Sequence, residues 1–405
     1  MTAPPDELIA LLSRAAIEPA APEPLRVLSA PDWARLATLP GYQLAALWVE
    51  QDRALGLVQR DDWVAPIATE GAEPAFALMR NAHPHLALAQ RSGEFADAPG
   101  EGVYQIGEGP VGGEIAEPMH RRLHLAGDSV LRADHRFGYA HRDILTLIEG
   151  KSPRAAVRFA ARIAGLSAVA HSLAFARAAE AASGAAIPAP VEALREAMAA
   201  TERCVASLLA LARLADICAL PRLAATLIDL RTSMADAAAQ IFFHRLMMDM
   251  VVPGGIDIAP RLSALPMLIA HLQSVRAVLQ PFGAWRWRRR WADLAEPVRG
   301  RVWQAINDAA FAVSALAPFS AAERAEPWSV ALPSQNGAGL GQARDLDGPI
   351  YCWMRLDGGF ITVCTIANQG LNRIAALEAA APGQTRAAFA RRAALLMPPI
   401  GMIDQ

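Results

Sequence analysis

The sequence predicts a mainly α-helical protein with smaller α+β parts, a helical bundle with β-hairpin additions behind a small N-terminal α+β domain. Long alanine-rich segments that carry Arg and Glu, between Pro153 and Leu316, favour helix. The first hundred residues instead hold short apolar runs broken by Pro and Gly. Two further apolar runs flank Asp357-Gly358-Gly359, which is typical of a hairpin.

The bulk composition limits the function classes that the chain fits. Of its 405 residues 53% are hydrophobic and 19% are charged, and the formal net charge is −2. A charge so close to zero provides no global field for nucleic acid or an anionic membrane. No uncharged apolar run of about 18 residues occurs, and Met1–Glu7 does not resemble a secretory signal. We therefore expect a cytoplasmic chain that meets a membrane only through partners.

The N-terminal part divides from the rest near residue 100. Runs at Leu44–Val49, Ala54–Val58 and Val64–Ile67 predict strands of a small α+β unit. Gly, Asp and Pro are frequent in Ser92–Gly113, which predicts a linker. We therefore predict two domains, residues 1–100 and residues 101–405.

The middle of the chain begins with a hairpin and continues as helices. Leu123–Leu125 and Ser129–Leu131 flank Gly127-Asp128, as in a β-hairpin. Ser152 and Pro153 have the pattern of a helix cap and first turn, which predicts a helix to Ala182. Further helices are predicted at Pro190–Ala219, Pro221–Met250, Pro260–Val278 and Trp291–Leu316. Long helices joined by short turns favour a bundle.

The C-terminal part returns to strands before a last helix. Ile350–Leu356 and Phe360–Ile366 predict a hairpin, and Leu371–Leu396 predicts a helix. The four cysteines are Cys204, Cys218, Cys352 and Cys364, without any CxxC pair. Cys352 and Cys364 can face each other across the hairpin, and we interpret them as small buried residues rather than a redox pair.

Five segments, in order, resemble one family. They are Gly109-Pro110 through Glu117-Pro118-Met119-His120; Gly138-Tyr139-Ala140-His141-Arg142 with Glu149-Gly150-Lys151; Arg162 to Ser167 with His171 and Arg177 to Glu180; His244-Arg245-Leu246 with Val252 to Gly255; and Gly341-Gln342-Ala343-Arg344. This order is similar to the large subunits of membrane-bound, energy-converting nickel–iron hydrogenases and to the quinone-site core subunit of complex I. The resemblance implies the hydrogenase large-subunit fold, and residues 1–100 resemble a shortened 30-kDa-type subunit of complex I.

The departures from the family concern the metal site. Members that bind nickel and iron use thiolates from two CxxC pairs, because soft sulfur ligands stabilise that metal pair. The first pair falls at Ala164 and Ser167, and no cysteine follows Cys364. The family's proton-relaying glutamate falls at Leu145. The resemblance therefore implies a chain that has lost its nickel–iron site and binds no cofactor itself.

The resemblance also implies a setting. The chain would be the cytoplasmic-side large subunit of a membrane complex and would lie peripherally on the inner membrane. It would couple electron transfer from an iron–sulfur small subunit to antiporter-like integral membrane subunits. Two alternatives stay open, a catalytically inactive scaffold or coupling subunit of such a complex, and a free-standing ligand-binding module.

A quinone-reducing subunit is a further alternative. In complex I the quinone-facing His lies in a loop that here reads Gly109-Pro110-Val111-Gly112-Gly113. The quinone-facing Tyr falls at Gly165. Both hydrogen-bonding groups are absent at the matching positions, which disfavours quinone chemistry of that kind.

Several polar residues lie beside the cavity in relatives and are candidate site residues here. They are His171, Tyr139, His141, Arg142, Glu117 and His120. Each of them can have a structural role instead of a functional one. His171, for example, lies on an alanine-rich helix, where a histidine is often a core residue with satisfied hydrogen bonds. The role of this set stays open.

One basic and aromatic run is a candidate contact surface. It consists of Trp285, Arg286, Trp287, Arg288, Arg289, Arg290 and Trp291. Cations interleaved with indoles suit an anionic partner or a membrane headgroup layer. The alternative is a solvated helix start whose tryptophans pack on the bundle. Nucleic acid is disfavoured because no wider basic surface accompanies the run. The glycines in Gly337–Gly341 are not a nucleotide-binding loop, because a strand rather than a helix follows them.

Overall fold

The fold is described from a computed structural model. The structure describes residues 26–29, 32, 39, 43–50, 53–60, 63–69, 95, 100–111, 117–283, 292–320, 327–334, 336–396 and 398–403. Within them the protein is mainly helical with small sheets, which confirms the predicted fold class.

The strands form small, separate sheets. Their bounds are β1 Arg26–Leu28, β2 Gln43–Glu50, β3 Arg53–Arg60, β4 Trp63–Thr69, β5 Val103–Glu108, β6 His120–Ala126, β7 Ser129–Arg136, β8 Val251–Val252, β9 Gly255–Ile256, β10 Gly337–Arg344, β11 Pro349–Asp357 and β12 Phe360–Ala367. The sheet orders are β1-β4-β3-β2, β5-β6-β7, β8-β9 and β10-β11-β12. All neighbouring strands are antiparallel except β1 and β4.

The helices occupy the middle and the end of the chain. Their bounds are α1 Ile144–Ile148, α2 Pro153–Ala160, α3 Ala168–Ser183, α4 Ala189–Ile217, α5 Pro221–Phe242, α6 Leu265–Leu279, α7 Ala295–Ser320, α8 Gly370–Ala379 and α9 Arg386–Leu396. Helix α4 packs against α5 and α7, and α6 packs against the same two helices, so these four form a bundle. Helix α3 lies between this bundle and the sheet of β10 and β11.

The strand β10 approaches α3 so closely that only glycine fits at three alternate positions. A Cβ on Gly337, Gly339 or Gly341 would lie 1.9–2.2 Å from a backbone oxygen of α3. These glycines share one face of the strand, because successive residues of a strand point to opposite sides. The glycine-rich segment is therefore a packing face within strand β10, whereas the sequence predicted that the strand would follow the glycines.

Several predicted elements are confirmed. The strands at β2, β3 and β4, the hairpin of β6 and β7, and the hairpin of β11 and β12 all form where the sequence placed them. The hydroxyl of Ser152 caps α2 by accepting a hydrogen bond from the backbone N–H of Ala155 at 3.4 Å, with Pro153 in the first turn. Cys352 and Cys364 face each other, with 3.9 Å between their sulfur atoms, and both are buried free thiols.

Other boundaries were wrong, each for a reason of tertiary packing or capping. The helix predicted to run from Pro153 to Ala182 breaks at residues 161–167, and the one from Leu371 to Leu396 breaks at 380–385, which includes Pro382-Gly383. Helix α5 ends at Phe242, followed by a left-handed turn, rather than at Met250. The expected linker contains β5, which β6 pairs along its whole length.

The N-terminal sheet contacts the C-terminal one. Leu57 of β3 is buried in a cluster with Tyr351 of β11 and Ala367 of β12. The division of the chain at residue 100, and the likeness of the first part to a complex I subunit, stay predictions.

Candidate functional site

The break between α2 and α3 carries Ala164 and Ser167, the positions that the family resemblance aligns with metal ligands and that are called the former ligand positions below. Ala164 is fully buried, and Ser167 is the N-cap residue of α3. The guanidinium of Arg142 donates from Nη2 to the backbone carbonyl of Ile163 at 2.6 Å. This bond holds the turn in a non-helical path and explains why the predicted continuous helix does not form.

The C-terminal turn closes over the same segment. The backbone N–H of Gly401 donates to Oε2 of Glu117 at 2.6 Å. A Cβ on Gly401 would lie 2.2 Å from the carbonyl oxygen of Ile163 and 2.7 Å from Nη2 of Arg142. Glu117 and Arg142, both candidate site residues, therefore meet here and hold backbone groups in place.

His171 is enclosed one turn into α3. Its Nδ1 lies 2.8 Å from the carbonyl oxygen of Ser167 and 3.0 Å from the hydroxyl oxygen of the same residue. Because a carbonyl oxygen only accepts, we assign the ring proton to Nδ1, which leaves a lone pair on Nε2. Nε2 is buried without a hydrogen-bond partner. Burial lowers the pKa of His171 to about 4, so the ring is neutral at pH 7.

Glu202 of α4 completes the N-terminus of α3. Its Oε1 accepts from the backbone N–H of Val169 at 2.8 Å, and Oε2 accepts from that of Ala170 at 3.0 Å. The hydroxyl of Ser167 makes no capping bond, so Glu202 supplies the acceptors that the first turn requires. Burial raises the pKa of Glu202 to about 8, against the opposing effect of these two hydrogen bonds.

Two clefts open on either side of Leu166 and Ala206, which line both. The first encloses about 440 Å³, open to solvent, and is lined by Leu166, Ser167, Ala206, Leu209, Ala210, Arg213, Arg301, Asp345, Leu346, Asp347, Ala394, Leu395 and Pro399. The second encloses about 350 Å³ and is lined by Gly165, Leu166, Thr201, Glu202, Val205, Ala206, Met234, Ala235, Ala238, Arg245, Leu246 and Met247. Both clefts therefore border the turn that holds the former ligand positions.

In the first cleft, Asp345 has one carboxylate oxygen that accepts no hydrogen bond. Its Oδ1 accepts from the backbone N–H of Asp347 at 2.8 Å and of Gly348 at 2.9 Å. Its Oδ2 is buried without a hydrogen-bond partner. Burial and the neighbouring charge of Asp347 raise the pKa of Asp345 to about 7. Asp345 therefore holds its proton more tightly than an exposed aspartate does.

Asp347 and Arg301 form the charged wall beside it. A carboxylate oxygen of Asp347 lies 3.6 Å from the guanidinium of Arg301 and 3.6 Å from that of Arg373. Arg301 also donates to the carbonyl oxygen of Leu346 at 2.9 Å. This ion pair is almost fully buried, and its hydrogen bonds offset part of the cost of desolvation.

The remaining candidate residues lie elsewhere. Tyr139 is 47% exposed, and His141 is an exposed imidazole 4.0 Å from Asp143. His120 packs edge-on against Phe95, with ring centroids 4.6 Å apart. Partial burial and the charges of Arg122 and Arg136 lower the pKa of His120. The run Trp285 to Trp291 lies outside the described residues. None of these placements decides the roles, which stay predictions.

The side chains at the former ligand positions do not suit nickel and iron. Ala164 offers no donor, and Ser167 offers a hydroxyl in place of a soft thiolate. Burial raises the pKa of the Cys204 and Cys352 thiols, which disfavours thiolates there. Among the described residues, no group of three His, Cys, Asp or Glu side chains is arranged to hold a metal ion.

Comparison with known proteins finds one relative in sequence and a solved structure with the same fold. No protein-family model matches the chain. It is 26% identical over 154 residues to the carbon monoxide-induced hydrogenase of Rhodospirillum rubrum, a match that covers 38% of this chain and 43% of that hydrogenase. It superimposes on a chain of the membrane-bound sulfane sulfur reductase, an archaeal respiratory membrane complex, with a TM-score of 0.67 and 14% identity, over 75% of this chain and 98% of that one. The chain shares its fold with a subunit of that complex.

The two likenesses point in the same direction as the motifs. The relative in sequence is a hydrogenase, the neighbour in structure is a chain of a respiratory membrane complex, and the likeness in structure covers 75% of this chain. The match in sequence spans less than half the length of the hydrogenase. The relation to hydrogenase-type respiratory complexes is therefore supported, while the subunit type and its partners stay predictions.

One helical segment in the described part of the chain has the length and apolar composition of a membrane span. It covers Leu262–Phe282, and 28% of its apolar window is buried. Length and composition do not separate a span from a core helix, and this segment contains His271 and Arg276. Arg276 interrupts the segment, so it holds no uncharged run of about 18 residues.

Sequence reasoning missed two residues of the site. Neither Glu202 nor Asp345 was assigned a role from the sequence. Their sequence neighbours give no sign of burial or of the backbone N–H groups that they accept. The position of Glu202 on the apolar face of α4 is the one signal in the sequence that could have indicated its burial.

Proposed function

We propose that this chain is the cytoplasmic-side large subunit of a membrane-bound oxidoreductase complex related to energy-converting hydrogenases and complex I, and that it holds no nickel–iron centre. The likeness in fold to a subunit of a respiratory membrane complex supports the setting. The side chains of Ala164 and Ser167 support the loss of the metal. The chain would sit peripherally on the membrane, through antiporter-like integral subunits.

The first cleft is the proposed site of reduction. An iron–sulfur small subunit would deliver electrons one at a time to a reducible carrier bound beside Ser167. The observation that carries this proposal is the free Oδ2 of Asp345, which is buried on the wall of the cleft. A carrier that takes up two electrons also takes up protons, and a carboxyl with a pKa of about 7 can supply one at neutral pH.

A second function is a scaffold or coupling subunit without chemistry of its own. The packing around the former ligand positions favours it. Ala164 is fully buried and Leu145 packs against the hydrophobic core, so two positions at which relatives place polar or metal-binding groups are apolar here. Both proposed functions require a multi-subunit complex. Only the reductase function requires Asp345 for turnover.

The first experiment is anaerobic purification of the complex through a tag on this chain, with metal analysis and visible absorption. Iron and sulfide without nickel, together with membrane subunits, are expected. Stoichiometric nickel would contradict the proposed loss of the metal site. A chain that purifies alone and without iron would contradict both the reductase and the scaffold.

The second experiment separates the two functions. The Asp345→Asn variant keeps the oxygen that accepts from the backbone N–H groups of Asp347 and Gly348, and it loses the titrating group. We expect it to assemble normally and to lose most electron transfer from the iron–sulfur subunit to added dyes or native acceptors. The matched control is Asp357→Asn on the exposed hairpin turn. Full turnover in both variants would leave the scaffold as the function.

A further inference from the structure

Helix α7 buries one side in the bundle and exposes an uncharged side to solvent. Val298, Ala305 and Leu316 are buried on the side that packs against α4 and α6. The exposed residues from position 300 to position 318, a stretch that the structure describes throughout, are Gly300, Trp303, Asn307, Ala310, Phe311, Ser314, Ala317 and Pro318. None of them carries a charge, whereas the solvent side of a surface helix normally carries several.

The two largest side chains on this exposed side are aromatic. Trp303 is 60% exposed and Phe311 is 46% exposed. Phe311 follows Trp303 by about two helical turns, or roughly 12 Å along the axis, so both lie on the same side of α7. Asn307 and Ala310 lie between them and are exposed as well. An uncharged surface with exposed aromatic residues is typical of a contact surface.

The neighbouring helix α6 adds apolar residues that the bundle leaves uncovered. Helices α6 and α7 pack against each other. Less than a third of the apolar window in Leu262–Phe282 is buried. Its exposed residues include Pro266, Met267, Ala270 and Ala277. An apolar helix of the core is buried on most of its surface, so the composition of α6 fits an additional contact on its outer side.

The charge of this part of the chain indicates the kind of partner. Residues 261–320 contain eight arginines and three acidic residues, a net charge of +5, whereas the other residues together carry −7. One of the three acids, Asp308, is paired with Arg203 of α4 at 2.8 Å. Four of the arginines belong to the run Trp285–Trp291, which joins α6 to α7 in the sequence and lies outside the described residues. A basic segment beside an apolar helix face favours an anionic partner.

An anionic lipid bilayer fits both the apolar and the basic character. Tryptophan and arginine are enriched at the headgroup layer, and interfacial helices place Trp and Phe at the boundary with the acyl chains. A second copy of this chain fits less well, because two segments of charge +5 repel each other.

We propose that α6 and α7 form a membrane-binding surface for anionic lipid, with Trp303 and Phe311 at the boundary between headgroups and acyl chains. Helix α7 lies in the plane of the membrane in this arrangement, and its polar residues Asn307 and Ser314 remain at the headgroups. The contact is direct and adds to attachment through integral subunits. It does not rest on the proposed function, because lipid binding needs no electron transfer.

The test uses the purified full chain and vesicles of phosphatidylcholine with or without phosphatidylglycerol. Wild type is expected to float with the phosphatidylglycerol vesicles, and to bind more weakly to phosphatidylcholine alone or at high salt. Trp303→Gln and Phe311→Gln should each lower the partition coefficient about tenfold, because a large apolar side chain no longer leaves water. The matched control is Phe360→Gln, at an aromatic residue of β12 that is 56% exposed, and it should bind as wild type does.

A second arm measures insertion of the side chain into the lipid. Trp303→Phe keeps an apolar aromatic group, so it should float as wild type does. Bromine on the acyl chains quenches the fluorescence of nearby tryptophans, and this quenching should be weaker for Trp303→Phe than for wild type. Both glutamine variants should keep the wild-type Tm, because the side chains that they replace are exposed.

Several results would overturn the proposal. One is a wild-type chain that floats with none of the vesicles, and another is equal flotation of wild type, Trp303→Gln and Phe311→Gln. Quenching that is unchanged in Trp303→Phe would mean that Trp303 does not reach the lipid. A dimer that Trp303→Gln converts to a monomer would assign the surface to a second copy. Loss of integral subunits from the Trp303→Gln complex in detergent, with flotation unchanged, would assign it to a protein partner.

Discussion

The carboxylate of Glu202 accepts a hydrogen bond from the backbone N–H of Val169 at 2.8 Å and so caps a helix from a neighbouring helix. The N-cap Ser167 leaves its own hydroxyl beside His171 instead. The start of α3, which carries a former metal-ligand position, is therefore fixed by a residue that lies far away in sequence. This arrangement connects the second cleft to the turn.

The Glu202→Gln variant should be less stable than wild type at low pH and at least as stable as wild type at high pH. The folded pKa of about 8 is raised above the ordinary value, so wild type is most stable at low pH and loses stability as pH rises from 4.5 through 8. The amide cannot titrate, but it leaves one backbone N–H without an acceptor, which costs about 1 kcal/mol. Wild type should be more stable at pH 5 and the variant equal or better at pH 9, as measured by the denaturant midpoint. The control Glu296→Gln, at an exposed ion pair, should show no such crossing.

His171 should make the fold sensitive to acid. Its folded pKa of about 4 is below the ordinary 6.5, so its contribution is complete above pH 6.5 and is lost as pH falls through 4. The loss amounts to about 3 kcal/mol. The His171→Leu variant cannot titrate, so its free energy of unfolding should fall less than that of wild type over this range. The exposed His141→Gln variant is the control, and parallel curves for wild type and His171→Leu would refute the assignment.

Replacing Gly341 should open the contact between β10 and α3. The added methyl of Gly341→Ala would lie 1.9 Å from the carbonyl oxygen of Ala174, and the backbone must move to accept it. We expect a loss of about 2–3 kcal/mol in the free energy of unfolding. Gly300→Ala, on α7 with open space around it, is the control and should gain about 0.5–1 kcal/mol. Equal midpoints for the two variants in chemical denaturation would contradict the packing.

Arg195 should be costly to truncate, because it is fully buried and paired. It donates to Glu180 at 2.7 Å and to the backbone carbonyl of Val252 at 2.6 Å. Arg195→Met leaves a buried carboxylate without its partner, at a cost of about 3–5 kcal/mol. The double variant Arg195→Met/Glu180→Gln should recover part of that loss, since it removes the stranded charge. The surface variant Arg299→Met should change stability by less than about 0.5 kcal/mol, and additive losses in the double variant would argue against the pair.

Local patterns located most helices and hairpins, but they did not locate the breaks in the helices or the groups of the site. Hairpins and helices follow from spacing, caps and turn residues, which are properties of neighbours in sequence, as at Ser152 and Pro153. The break at residues 161–167 depends on Arg142, and the start of α3 depends on Glu202. The shifted pKa values of Glu202 and Asp345 arise from burial by distant segments. Such effects are invisible until the chain is packed, so the motifs located the turn but not the groups that act beside it.

The contact of Leu57 with Tyr351 and Ala367 bears on how the protein is made. The ribosome releases β3 long before β11 and β12 exist, so this leucine lacks its contacts with these two strands during most of synthesis. Until then the face of β3 that they cover is exposed to chaperones and to other nascent chains. Final closure therefore belongs to the last stage of translation, and a truncated product would expose the same surface to aggregation.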